Sequence, residues 1–406
     1  MKNYIGFLIR QKRLELNISQ ERLCKGICAP SYLSKIEQGQ ADASSDIITS
    51  LFSALGIRYT GDRTLLAEAR EHFNRFFFLL DSEESAEEET NYFFRHGEEL
   101  EHSEFHLDYH LCLLFSHLSA EDQEQAGKEQ TYLSRFLPYM EDVQIMRYFL
   151  GAAAIIGHSE KAVKLLLEAA HYGNNSVIYY QLANTLYHLG HYNDCIQRAE
   201  TAYLYASEEG NPAVLIGASF LLGSCYCNGR DFSIAEKYYK RSVALTRGYR
   251  IPVKNYAYYN LGTAYLSCEQ YQEAEYYLLQ AGELEEEPYH NVMLNQKKAL
   301  LFLHIGDSEK TNLYLDRASE ALQALSEDSD NYHLCKKMVT FAEMLNLPDY
   351  LDNPEYLELL EELYANVNQP FGFGFRRFYG LFLIRYYKYH RKYKEALRIR
   401  EEMDIS

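Results

Sequence analysis

In the stretch SYLSKIEQG, residues 31–39, the spacing sets Ser31, Tyr32, Ser34, Lys35 and Gln38 on the outside of a short helix, with Leu33 and Ile36 turned inward. Hydroxyls and an amide are donors and acceptors that suit base edges, and a lysine suits phosphate or a guanine edge. None of the five is acidic, although the 406-residue chain holds 58 Asp and Glu. Gln20, near the start of the preceding helix, is suited to bind a phosphate together with the positive helix terminus. This is chemistry for a major groove.

Other reactive constellations are weak. His102, His106 and His110 recur at i, i+4 and i+8, a spacing that can hold a metal, but no cysteine or HExxH motif adds to them, so a polar helix face is expected and no metal. The glycines of PFGFGFRRFYG (370–380) come without a phosphate-loop lysine, so that stretch reads as a loop entering a helix. No nucleophile motif or carboxylate pair is present, so neither an enzyme nor a cofactor is expected. The eight cysteines form no CxxC pair and read as reduced core thiols. With no apolar run of membrane-spanning length and no signal peptide, a cytoplasmic protein away from membranes is expected.

Four helices must position the groove-facing residues. In residues 3–16, Ile5, Leu8, Ile9 and Leu16 form one apolar stripe, with Arg10, Lys12 and Arg13 mostly outside it. Ser19 caps a second helix through Leu23 and Cys24. Pro30 suits the first position of the third, which Gly39 ends. A fourth begins near Ser44–Asp46 and buries Ile47, Leu51 and Leu55 before Gly56. Charge agrees with a head apart from a body: residues 1–60 hold eight Lys and Arg against five Asp and Glu, net +3, and the remaining residues 32 against 53, net −21.

The segments IGFLIRQKRLELNISQERLCKGICAPSYLSKIEQG and IITSLFSALGI resemble the Xre/Cro-type helix-turn-helix, with Ile5-Gly6, Arg10, Arg13, Ser19-Gln20, Leu23, YLSKIEQG and Leu55-Gly56 in the family spacing. The resemblance implies a lambda-repressor-like domain with base contacts at Pro30, Ser31 and Lys35, and with Tyr32 and Ser34 adjacent. Two positions depart from the pattern: Ala29 stands where a side-chain cap is usual, and Pro30 where a hydrogen-bonding Gln is common.

Residues 61–89 read as a linker: an amphipathic helix over 64–80, then DSEESAEEE (81–89), a solvated loop or helix start, or a negative spacer that keeps the body off DNA. From about residue 140 a pattern recurs: LGHYNDC (189–195), GRDFSIA (229–235), CEQYQEA (268–274) and HRKYKEA (390–396), with weaker copies IIGHSEKA (155–162) and HIGDSEKT (304–311). Leu150, Ala183, Gly223, Gly262 and Ala299 stand as equivalents, 33, 40, 39 and 37 residues apart. This resembles the tetratricopeptide repeat, with 90–140 and 320–390 as atypical capping regions and 90–406 as one repeat domain.

The resemblance implies a superhelix whose concave wall is built from the first helix of each repeat. The positions concerned are Gln144 and Arg147; Tyr180, Asn184, Tyr187 and His188; Phe220, Ser224 and Asn228; Tyr256, Tyr259 and Thr263; and Gln296. Amides suit the backbone of an extended peptide, rings its apolar side chains, and Arg147 a peptide carboxylate.

An all-α chain joining these two parts resembles the RRNPP group of peptide-responsive regulators, nearest its PlcR/NprR branch. What this resemblance implies is a cytoplasmic quorum-sensing transcription regulator, a homodimer through its repeats, that binds a double-stranded DNA operator under control of a short signalling peptide. The alternative is a helix-turn-helix regulator whose repeats bind a protein partner, an anti-repressor or phosphorelay component.

Overall fold

The computed structural model describes residues 4–246, 253–284, 287–365 and 372–404, which form helices and no strands. The chain divides into two compact units, residues 1–181 and 182–406.

The helices of the first unit are α1 (Tyr4–Glu15), α2 (Gln20–Leu23), α3 (Pro30–Glu37), α4 (Ser45–Ala54), α5 (Arg63–Asp81), α6 (Glu87–Arg95), α7 (Gly97–Glu101), α8 (His106–Ser119), α9 (Gln123–Ser134), α10 (Asp142–Ile156) and α11 (Glu160–Tyr172). The unit boundary falls within α12 (Ser176–His188). The second unit continues with α13 (Tyr192–Glu209), α14 (Pro212–Asn228), α15 (Phe232–Leu245), α16 (Val253–Ser267), α17 (Tyr271–Gln280), α18 (Pro288–Ile305), α19 (Ser308–Gln323), α20 (Asp330–Leu345), α21 (Pro354–Ala365), α22 (Gly372–Tyr389) and α23 (Tyr393–Asp404).

The first four helices form the expected head. Leu8, Ile9, Leu23, Leu33, Ile36, Leu51 and Phe52 are almost fully buried together. Leu16 lies one residue beyond α1 and is 50% exposed, and in α4 Ile48 is buried where Ile47 was expected. At the crossing of α1 and α3 a Cβ on Gly6 would stand 1.9 Å from the carbonyl oxygen of Ile36. Only glycine admits this approach.

The linker is helical where expected, with one acid buried behind it. Its helix spans Arg63–Asp81, capped by Asp62, whose carboxylate accepts from the backbone N–H of Thr64 and Leu65. The acidic run behind it is partly structural: Glu89 is fully buried, ion-paired with Arg75 at 2.9 Å and hydrogen-bonded to His72.

Later helices pair as the repeat pattern predicts. The small residue opening each second helix, Ala162, Cys195, Ala235, Ala274, Thr311 and Ala396, is at most 5% exposed. Where glycine stands in the first helix the partner touches the backbone itself: a Cβ on Gly223 would meet the Tyr239 ring at 2.7 Å, and one on Gly262 the Leu278 side chain at 2.5 Å. The segment 370–380, expected as a loop, is helical from Gly372 onward, while residues 370 and 371 lie outside the described residues.

Candidate nucleic-acid interface and repeat wall

The third helix is presented as its residue types require. Pro30 occupies its first turn, Ala29 precedes it without a side-chain cap, and Gly39 follows at φ +68. Pro30, Ser31, Lys35 and Gln38 are exposed, and Tyr32 and Ser34 are half-buried. The Tyr32 hydroxyl donates to the carbonyl of Asp42 at 2.9 Å, and the Gln38 amide to Ser34 Oγ at 3.2 Å.

Glu37, the acid of this helix, points inward. It is 2% exposed and accepts from Arg13 Nε at 2.6 Å and Nη2 at 2.8 Å. The hydrogen bond from Arg13 to Glu37 holds the guanidinium pKa above its ordinary value. Gln20 Nε2 also donates to Glu37, at 2.7 Å, so one of the donors expected to face phosphate is taken inside the head. The outer face keeps Lys35 with no carboxylate beside it on α3.

The head rests on the rest of its unit through α1 and Thr60. The Phe7 ring packs edge-on against Phe136 at 5.1 Å and stacks on Tyr139 at 5.0 Å. The Tyr4 hydroxyl donates to the carbonyl of Ser103 at 3.3 Å, and the Thr60 N–H to that of His102 at 2.8 Å. Beneath this seam the three histidines separate. His102 follows α7, whereas His106 and His110 lie on α8, with His106 bonded to Glu101 O and Tyr132 and His110 to Glu129. Burial drives the His106 pKa well down. Among the described residues no cluster could hold a metal ion.

The expected wall residues have several fates. In the first unit, Gln144 closes a capping box with Glu141 and donates to Asp108, whose pKa burial pushes up to about 6. Arg147 is buried, paired in a two-point bond with Asp81 at 2.6 Å and seated over the Phe77 ring at 4.6 Å. This corrects its assignment as an open partner for a peptide carboxylate: it ties α10 to α5. Tyr180 is half-buried.

In the second unit, Ser224 is 2% exposed and bonded to Tyr239, and Gln296 is fully buried, so both lie inside the packing and not on an open face. Asn184, Tyr187, His188, Phe220, Asn228, Tyr256, Tyr259 and Thr263 are half-buried. Asn228 reaches the Tyr187 hydroxyl at 3.4 Å, its carbonyl accepts from Arg377 at 2.6 Å, and the Tyr256 hydroxyl donates to Glu287. The residue-type reading missed Lys297 and Lys298, 2% and 6% exposed, on α18 beside Gln296.

A helix-turn-helix family model matches residues 9–61. No curated protein matches the chain by sequence. Among solved structures, the chain is similar to the apo form of the quorum sensor NprR from B. thuringiensis, at 16% identity and TM-score 0.64, covering 84% of this chain and 98% of that one. It is similar to NprR in complex with its cognate peptide NprX, at 15% identity and TM-score 0.59, over 85% of this chain and 99% of that one. It is also similar to the apo form of RapI, at 12% identity and TM-score 0.63, over 83% and 99%. The chain is therefore all-α, a helix-turn-helix domain followed by helical repeats of the fold seen in NprR and RapI.

Proposed function

We propose that this protein is a transcription regulator whose head binds an operator in duplex DNA and whose repeats bind a short signalling peptide that controls that binding. The observation that carries the reading is the α3 face, exposed at Ser31, Lys35 and Gln38 and free of acid because Glu37 is turned inward onto Arg13. A groove-facing helix needs donors for base edges and no charge that repels phosphate. Pro30, Tyr32 and Ser34 complete the proposed DNA contacts.

Residues 1–60 act as the head, 61–89 as the linker and 90–406 as the sensing and dimerising part. NprR, a sensor of the same fold, has been solved with its cognate peptide, which supports a peptide as the ligand here. The half-buried amides and rings of the second unit, above all Asn228, Tyr256 and Tyr259, are the proposed peptide contacts there. A peptide can move the head only by favouring one arrangement of the chain over another. The seam that α1 and Thr60 form with Phe136, Tyr139, Ser103 and His102 is where such a change would reach it.

Mapping DNA bound by the protein in its source cells, with and without their spent medium, tests both halves. The expected result is a defined set of sites whose occupancy changes with the medium. Occupied sites that ignore the medium would remove peptide control; no occupied sites would remove the regulator itself.

A further inference from the structure

The second unit contains a cavity of about 300 Å³ between the ends of α16 and α18 and the face of α22. Leu266, Leu300, Phe378 and Phe382 give it apolar walls, and Arg385 and Lys388 stand at its charged side. Arg385 pairs with Glu269, the acid among the lining residues, at 3.1 Å, and both are well exposed. Lys388 is exposed as well, and among the described residues no ion pair holds it. Cationic lining is out of character for a body that is net −21 outside its first 60 residues.

The unusual group lies behind Phe378. On α18, Lys297 precedes Leu300 and His304 at i, i+3 and i+7, so it shares the face whose other two members line the cavity. It is 2% exposed; its ammonium donates to Gln296 Oε1 at 2.7 Å and sits 4.2 Å from the centre of the Phe378 ring. Tyr379 and, more distantly, Cys335 complete its surroundings. Among the described residues no carboxylate pairs with it. A buried ammonium without a counter-charge is a destabilising arrangement that a bound anion would relieve. Phe378 lines the cavity and also lies against the ammonium, so this ring separates the two.

We propose that this cavity binds the C-terminal end of a short peptide, with an apolar last residue against Leu266, Leu300 and Phe382 and the free carboxylate drawn to Lys297. The inference rests on the peptide reading above and adds the polarity of the ligand and the place of its negative end. The same chemistry, an apolar body with one carboxylate, is shared by a medium-chain fatty acid, and the test separates the two sources.

The full-length protein is heated with a synthetic heptapeptide library of random sequence carrying free carboxylates, with the same library amidated at the C-terminus, and with decanoate. The proposal expects the acid library to raise the wild-type melting temperature by several degrees and the amidated library by clearly less. It expects Lys297→Met to abolish that difference while Lys388→Gln only reduces it. Equal shifts from acid and amide libraries, or a difference that survives Lys297→Met, overturn the carboxylate site and leave peptide binding standing. A shift from decanoate alone, lost in Lys297→Met, overturns the peptide as occupant in favour of a fatty acid. No shift from any probe overturns this site and counts against the peptide reading as well.

Discussion

Glu37 and Arg13 meet as a two-point ion pair inside the head, Nε to Oε1 at 2.6 Å and Nη2 to Oε2 at 2.8 Å, on side chains 2% and 9% exposed. The pair joins α3 to α1, and it removes the one acid of α3 from the face proposed to meet DNA. Removing one partner leaves a buried charge uncompensated, which typically costs about 3–5 kcal/mol. Glu37→Ala is accordingly expected to unfold the head at a lower denaturant concentration, with a loss on the order of 3 kcal/mol. Chemical denaturation followed by the signals of residues 4–55 checks it; an unchanged midpoint would contradict the role given to the pair.

Gly6 sets how closely α1 lies on α3. A methyl group there would sit 1.9 Å from the carbonyl of Ile36, far inside contact distance. Gly6→Ala should therefore separate the two helices and lower head stability by about 2 kcal/mol, the scale of overpacking in a closed core. Circular dichroism melts of wild type and variant measure it, and a variant that melts with wild type would show that the crossing yields easily.

The docking seam predicts a separable loss. Phe7→Ala removes a ring held between Phe136 and Tyr139 and should weaken attachment of the head by about 2 kcal/mol. Hydrogen exchange in residues 4–15 and 101–139 is expected to quicken while α14–α19 keep their protection. Uniform protection across the variant would mean that the ring contributes nothing to docking.

Lys297 predicts a pH dependence. Burial lowers its pKa from 10.5 to about 7, with Cys335 opposing weakly. The unfolded chain therefore binds a proton that the folded chain does not between about pH 7 and 10.5, and stability rises with pH across that window. Below it the penalty is constant. Lys297→Met should be more stable than wild type at neutral pH, by something on the order of 4 kcal/mol, and the advantage should shrink toward pH 10. Urea midpoints at pH 7 and pH 9.5 test it. A gap that is absent, or the same at both values, would show that the ammonium is better compensated than its surroundings suggest.

What the sequence made legible follows the range of the interactions. Helix spacing, the glycines at turns and the small residues between paired helices are local signals, and Gly223, Gly262, Ala235 and Ala274 sit where that pattern puts them. The face of α3 was legible for the same reason. Arg147 and Gln144 were misjudged because their partners, Asp81 and Asp108, lie 66 and 36 residues away. In α18 the run Asn295-Gln296-Lys297-Lys298 has the composition of a solvated turn, yet all four are buried. Packing of α19, α20, α22 and the segment 281–283 around α18 decides that, and no local pattern carries it. Ile48 replaced Ile47 for a smaller reason: two adjacent isoleucines differ by one step around the helix, so periodicity alone separates them poorly.

The most direct test of the central claim is equilibrium binding of full-length wild type and Lys35→Glu to duplexes selected from a random pool, at two salt concentrations. Wild type should bind a defined sequence, more weakly as salt rises, and Lys35→Glu should lose at least tenfold in affinity while melting at the wild-type temperature. A Lys35→Glu protein that binds the selected duplex as wild type does would contradict the reading of α3 as the helix that enters the groove.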